Sequence, residues 1–237
     1  ARQHLDEAIK SATDDHELLC MHADMTRAGY AQGYLDVKNP IVEVLTNISQ
    51  LVNIIPECLS CKIAYCYALL QGNKKQTLYQ LVDDILSTPY LPPTFGAEAA
   101  ITLMLGGQWH NGRVILEKMI SQITQPPDFF IYPLILDVYR NRDFEQAHIM
   151  CCKLTSNNDC FWHRLLLTTS LAQTGLLDEA NRMGSELIQS RPNLDKHIHR
   201  ILSCFILDES LIKLLEEGLF KAGIVLPNLV SEHGVQN

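Results

Sequence analysis

Basic side chains are in deficit in this chain: 19 Lys and Arg stand against 27 Asp and Glu, a formal charge of −8. Nucleic-acid affinity rests on clustered Lys and Arg that track phosphates, so direct nucleic-acid contact by this region is not expected. Long apolar runs are missing too. No stretch reaches the roughly 18 consecutive apolar residues of a membrane span, and the chain does not open on a basic segment followed by an apolar one, as a signal peptide would. No membrane contact is expected. Aromatic residues make up 7% of the sequence, but apolar residues reach 47% of 237 positions, which is enough to bury a substantial core and too many for a disordered chain. The eight cysteines would suit a disulfide scaffold in a small secreted domain. Here most lie among Leu, Ile, Tyr and Ala in helical patterns, which points to a reduced, cytoplasmic setting.

What the sequence does contain is self-similarity at a fixed period. Ala68 to Asn73, Leu103 to Gln108, Val138 to Asp143 and Leu171 to Leu176 align on one turn position. Taking that position as Gly72, Gly107, Arg142 and Gly175 gives gaps of 35, 35 and 33 residues, and Asn39 extends the series backwards. Five residues beyond each turn come Thr77, Gly112, Ala147 and Ala180, small residues suited to close helix approach. Two residues beyond it, Trp109, Phe144 and Leu177 supply an apolar plug, a column that Lys74 interrupts. Apolar positions such as Ile115, Leu116, Met119, Ile120 and Ile123 recur at helical spacing, and Pro56, Pro89, Pro126, Pro127 and Pro192 follow the second helices, where proline cannot continue the ladder. The polar run Thr155 to Asp159 replaces that proline in the fourth unit.

In these residues the chain resembles the tetratricopeptide repeat family. Gly175-Leu176-Leu177-Asp178-Glu179-Ala180 followed by Pro192 carries the likeness best, while Gly107 to Gly112 and Arg142 to Ala147 match in part. The resemblance implies an all-α solenoid of helical hairpins, a right-handed superhelix, forming a single repeat domain. Its hairpins are expected at 15–56, 58–91, 93–126, 128–158 and 161–192, with capping helices over 195–223. Leu5, Ala8, Ile9 and Ala12 share one helical face before the first hairpin, so the sequence reads as a fragment of a longer protein. The segment Leu215 to Pro227 is similar to the closing phrase of repeat regions in bacterial winged-helix transcriptional activators, although a helix capped by Gly223 and stopped by Pro227 explains the same letters.

In the family the first helix of each hairpin lines a concave surface. The resemblance therefore implies a partner-binding groove containing Lys62, Cys66, Ala97, Ile101, Phe129, Tyr132, Tyr139, Trp162, Leu165 and Thr169. Such a groove is apolar and aromatic, unlike the carboxylate clamp that grips a peptide terminus with Lys, Arg and Asn. It suits an apolar helix or extended segment, because Tyr and Trp bury large areas at modest entropic cost. Each ring taken singly also suits inter-helix core.

Chemistry-bearing motifs are sparse. Cys58-Leu59-Ser60-Cys61 has the spacing of a redox pair or half a zinc site, but no second such pair follows, and buried thiols on a helix explain it. Cys151 and Cys152 are adjacent and point apart on a helix, as do His197 and His199 at about 200°. Gly107 to Val114 approximates a phosphate loop without its Lys or hydroxyl. Asn47-Ile48-Ser49 spells a glycosylation sequon inside a helical pattern. No catalytic residue, metal ligand or cofactor is assigned, and enzymatic activity is not expected. The functional expectation is a module that holds a protein or peptide, as the effector or oligomerisation domain of a bacterial transcriptional regulator, with homo-oligomers allowed. The alternatives are a cytosolic chaperone or adaptor for a secreted partner and a small-molecule sensor.

Overall fold

The computed structural model describes residues 15–35, 38–154, 160–191 and 193–226, and among them every regular element is helical. Leu5 to Ala12, which precede the expected first hairpin, the polar run at 155–159, Pro192 and Pro227 lie outside the described residues. The α-helices are α1 (His16–Ala31), α2 (Ile41–Ile54), α3 (Leu59–Gln71), α4 (Lys75–Leu86), α5 (Pro93–Leu105), α6 (Trp109–Ile120), α7 (Tyr132–Arg140), α8 (Phe144–Cys152), α9 (Phe161–Gln173), α10 (Leu177–Ser190), α11 (Leu194–Phe205) and α12 (Glu209–Lys221). The chain is a helical repeat-like all-α fold that divides into two compact units: one takes the residues up to Thr124 and Ser203–Leu207, the other takes Gln125–Leu202 and the residues from Asp208 onwards.

The repeat is built by one turn used many times. Asn73, Gly107, Arg142 and Gly175 adopt positive φ of 52°, 108°, 64° and 84°. At each, the left-handed residue donates its N–H to the carbonyl three back (Leu70, Met104, Tyr139, Ala172), and the next residue donates to the carbonyl five before itself (Leu69, Leu103, Val138, Leu171). That paired closure satisfies the carbonyls a helix end leaves open. The following residue, Lys74, Gln108, Asp143 or Leu176, is then the N-cap of the next helix. The pivot in the second hairpin is thus Asn73, one residue beyond Gly72, because asparagine tolerates the left-handed region almost as glycine does. In the first hairpin the pivot is Gly33 at φ 76°, not Asn39, whose Oδ1 instead accepts the N–H of Ile41 at 3.0 Å.

With Asn73 as pivot the small-residue column shifts from Thr77, which is exposed, to Leu78. Leu78, Ala147 and Ala180 are fully buried, and a Cβ built on Gly112 would lie 2.5 Å from Cγ of Met104 and 2.8 Å from the Ala100 carbonyl oxygen. Glycine at 112 is therefore what lets α6 lie against α5.

In the first unit, each of α2 and α4 packs on its own partner and on the first helix of the next hairpin, and α1, α3 and α5 touch in that order. Helix α5 is enclosed almost all round, with Gly96, Ala97 and every residue from Ala99 to Leu105 buried; its small side chains permit close neighbours on several sides. Full burial of each Leu, Ile or Met here contributes about 1.5–3 kcal/mol. Cys204 and Phe205 pack on Tyr30 and Ala31, at the end of α1, and the N–H of Leu207 donates to the carbonyl of Leu105 at 3.0 Å.

In the second unit, α9 is the hub. It packs on α7, α8, α10 and α12. Helix α12 is N-capped by Asp208, whose carboxylate accepts N–H groups from Ser210 and Leu211, and is followed by Gly223 at φ 79°. Beyond it, Ala222 and Ile224 lie close to Gly184 of α10.

Candidate functional site

The residues assigned to a groove fall into two groups. Cys66, Ala97, Leu165, Thr169 and Tyr139 are fully buried, and Ile101 and Tyr132 nearly so. First helices stacked side by side turn these side chains into the joints between helices, so they present no surface to a partner. Tyr139 shows the physical reason: its ring stacks edge-on against Phe144 with centroids 5.0 Å apart, and its hydroxyl donates to the carbonyl of Leu214 in α12 at 3.1 Å. The chain's own last helix covers that position. Burial pushes the Tyr139 phenol well above its ordinary range. The Cys66 thiol, fully buried on α3, is pushed up to about 12 by desolvation.

Lys62, Phe129 and Trp162 keep surface. Lys62 turns away from the first-helix face to pair with Asp84 of α4 at 2.6 Å. Phe129 is 47% exposed at the short 3-10 turn Asp128–Phe130, its ring 4.3 Å from that of Phe130, which is buried and anchors it. Trp162 is partly exposed in the first turn of α9, with its ring centroid 5.4 Å from that of Phe161. The Arg191 guanidinium lies 4.2 Å from the Phe161 ring centroid. Phe129 and Trp162 each precede their own left-handed pivot, Arg142 and Gly175, by 13 residues. They are therefore the same position of the repeat, aromatic and accessible in both hairpins of the second unit.

Two clusters in the first unit escape sequence reading. The buried face of α1 carries Cys20, Ala23, Arg27 and Tyr30, at spacings of three and four residues, so an arginine occupies a core position. Its Nε and Nη2 donate to Oδ1 of Asp24 at 2.9 and 2.7 Å, its guanidinium lies 5.2 Å from the Tyr67 ring centroid, and its Nη1 is buried without a partner. Glu98 of α5 completes the group; burial, then the nearby Asp24 charge, raises its carboxyl above the ordinary range. The periodicity of α1 was the available signal, since Arg27 stands where Leu or Ala would be usual.

The second cluster is sulfur. The Cys58-x-x-Cys61 pair meets Cys20 from α1 in one core cluster, and the Cys58 sulfur accepts the N–H of Cys61 at 3.3 Å. Among the described residues, no group of three or more His, Cys, Asp or Glu is placed to hold a metal ion. His199 Nδ1 lies 3.0 Å from Glu216 Oε1, so that histidine serves the joint between α11 and α12. The sequon falls inside α2 with Ile48 fully buried.

Compared with protein-family models, curated proteins and solved structures, the chain finds no match. No described helix is long and apolar enough to cross a membrane.

Proposed function

We propose that this chain is a tetratricopeptide-like module whose work is to hold another protein or peptide, and that the second unit makes the principal contact through Phe129 and Trp162. The observation that supports this most is the recurrence of an accessible aromatic at one register of successive hairpins, 13 residues before each pivot. Aromatic side chains left at the surface on rigid helical joints are efficient binding anchors, because they bury large area with only two torsions to restrict. A stack of hairpins repeats such a position at fixed intervals, matching a partner that is itself helical or extended. The acidic balance of the chain favours partners with a neutral or basic surface.

In this reading the superhelix serves as a scaffold without turnover. The effector or oligomerisation part of a transcriptional regulator is the setting in which such a module fits best, given the closing phrase from Leu215 onwards. The test is site-directed photo-crosslinking in cells of the source organism, with the reactive group at 129, 162, 117 or 186. Residues 117 and 186 lie on α6 and α10, helices that carry neither aromatic. One partner crosslinked from 129 and 162 but not from 117 or 186 supports the proposal; equal yields from all four positions refute the assigned surface.

A further inference from the structure

The sulfur cluster of the first unit has no part in the proposed binding surface. Cys58 is the N-cap of α3, in extended backbone at φ −70° and ψ 95°, and its Sγ accepts the N–H of Cys61 at 3.3 Å. Cys61 is 1% exposed and Cys20 is 6% exposed, whereas Cys58 keeps partial access to solvent. Three thiols therefore meet at the start of one helix, and a single member of the group is open to a reagent.

We propose that Cys58 and Cys61 form a reversible disulfide when the chain meets a hydroperoxide. The Cys58 thiol loses its proton to water, and its sulfur attacks one peroxide oxygen. The O–O bond breaks, hydroxide leaves with the electron pair, and Cys58 becomes a sulfenic acid. The Cys61 sulfur then displaces that hydroxyl group, which leaves as water with the Cys61 proton, and the S–S bond forms. In sum two thiols and one hydrogen peroxide give one disulfide and two waters, with two electrons passing from sulfur to oxygen.

Geometry and access both select this pair. Positions three apart on a helix have Cβ atoms about 5–6 Å apart, and a disulfide needs about 3.5–4.5 Å, so closure requires a shift of about 1 Å or slightly more. Cys58 has extended backbone and takes part in the α3 ladder only through its carbonyl, which accepts the Lys62 N–H at 3.0 Å, so the shift falls at the edge of the helix. The Cys58 sulfur faces the start of α3, where it accepts the Cys61 N–H at 3.3 Å, and it is the member of the cluster that solvent reaches. Burial raises the Cys61 and Cys20 thiols above their ordinary range, so both are protonated at neutral pH. Cys58 and Cys61 already share one core cluster and are joined by the Cys61 N–H to the Cys58 sulfur at 3.3 Å, so the second step needs no rearrangement of helices.

The experiment uses the full reduced chain treated with hydrogen peroxide, followed by alkylation of the remaining thiols and peptide mapping by mass spectrometry. The expected product lacks two alkylation sites out of eight cysteines, carries its link between 58 and 61, and returns to the reduced form with dithiothreitol. Cys58 is expected to disappear roughly tenfold faster than the fully buried Cys66 or Cys151. Cys58→Ser abolishes the reducible link, and Cys152→Ser leaves it intact. Mapping of the wild-type chain decides the matter even if a variant misfolds: if Cys58 and Cys61 both remain alkylatable after the exposed Cys152 has been oxidised, the proposal is wrong.

Discussion

The hydroxyl of Tyr139 and the carbonyl of Leu214 are joined at 3.1 Å, and this bond ties the end of α7 to the middle of α12. Gly218 lies one turn further along α12, where an added Cβ would come within 2.7 Å of the Tyr139 hydroxyl and 2.9 Å of Thr169 Cβ. The Gly218→Ala substitution is therefore expected to destabilise the second unit by roughly 1–3 kcal/mol through overpacking, despite alanine's better helix propensity. Tyr139→Phe should cost about 1 kcal/mol for the lost hydrogen bond. Urea unfolding followed by circular dichroism measures both.

Arg142 holds the left-handed pivot that glycine holds at 107 and 175. An L-residue there bears about 1–2 kcal/mol of strain, partly offset by the greater unfolded-state entropy of glycine. Arg142→Gly is thus expected to stabilise the chain by roughly 0.5 kcal/mol, and Gly175→Ala to destabilise it by about 1 kcal/mol. A fall in the thermal midpoint of Arg142→Gly would show that the turn is not left-handed in solution.

These pivots also show what can be read from the letters. Glycine at 107 and 175 announces its turn, and the register built on it extends to Arg142 because the spacing is kept. Asn73 was hidden by the adjacent Gly72, since either residue accepts positive φ and only the hydrogen bonds to Leu70 and Leu69 distinguish them. The site was less legible for a different reason. Whether a first-helix side chain faces solvent or a neighbour depends on what packs across it, and the contact of α12 with Tyr139 joins residues 75 positions apart. Phe129 keeps surface in the 3-10 turn ahead of α7 and Trp162 in the first turn of α9. The meeting of Cys20 with the 58–61 pair likewise depends on how α1 lies on α3, which no local pattern encodes.

Asp208 gives a pH dependence with a defined sign. Burial raises its carboxyl, but the Ser210 hydroxyl and the N–H groups of Leu211 and Ser210 outweigh that, so the native value lies below the ordinary 3.8. A depressed carboxylate stabilises fully above the unfolded value and loses its contribution as pH falls through the native one. Asp208→Ala should then cost about 1 kcal/mol at pH 7, in the usual range for an N-cap. The gap between wild type and variant should shrink below about pH 4. A gap that stays constant from pH 7 to pH 2 would mean that the cap is not ionic.

The most direct measurement is a calorimetric titration of the partner recovered by crosslinking against the wild-type chain, Phe129→Ala and Trp162→Ala, with thermal midpoints recorded in parallel. The account predicts that Trp162→Ala weakens binding by about 2 kcal/mol, roughly thirtyfold, and Phe129→Ala by about 1 kcal/mol, with helical content retained. Equal affinity for all three proteins, each folded, would contradict it.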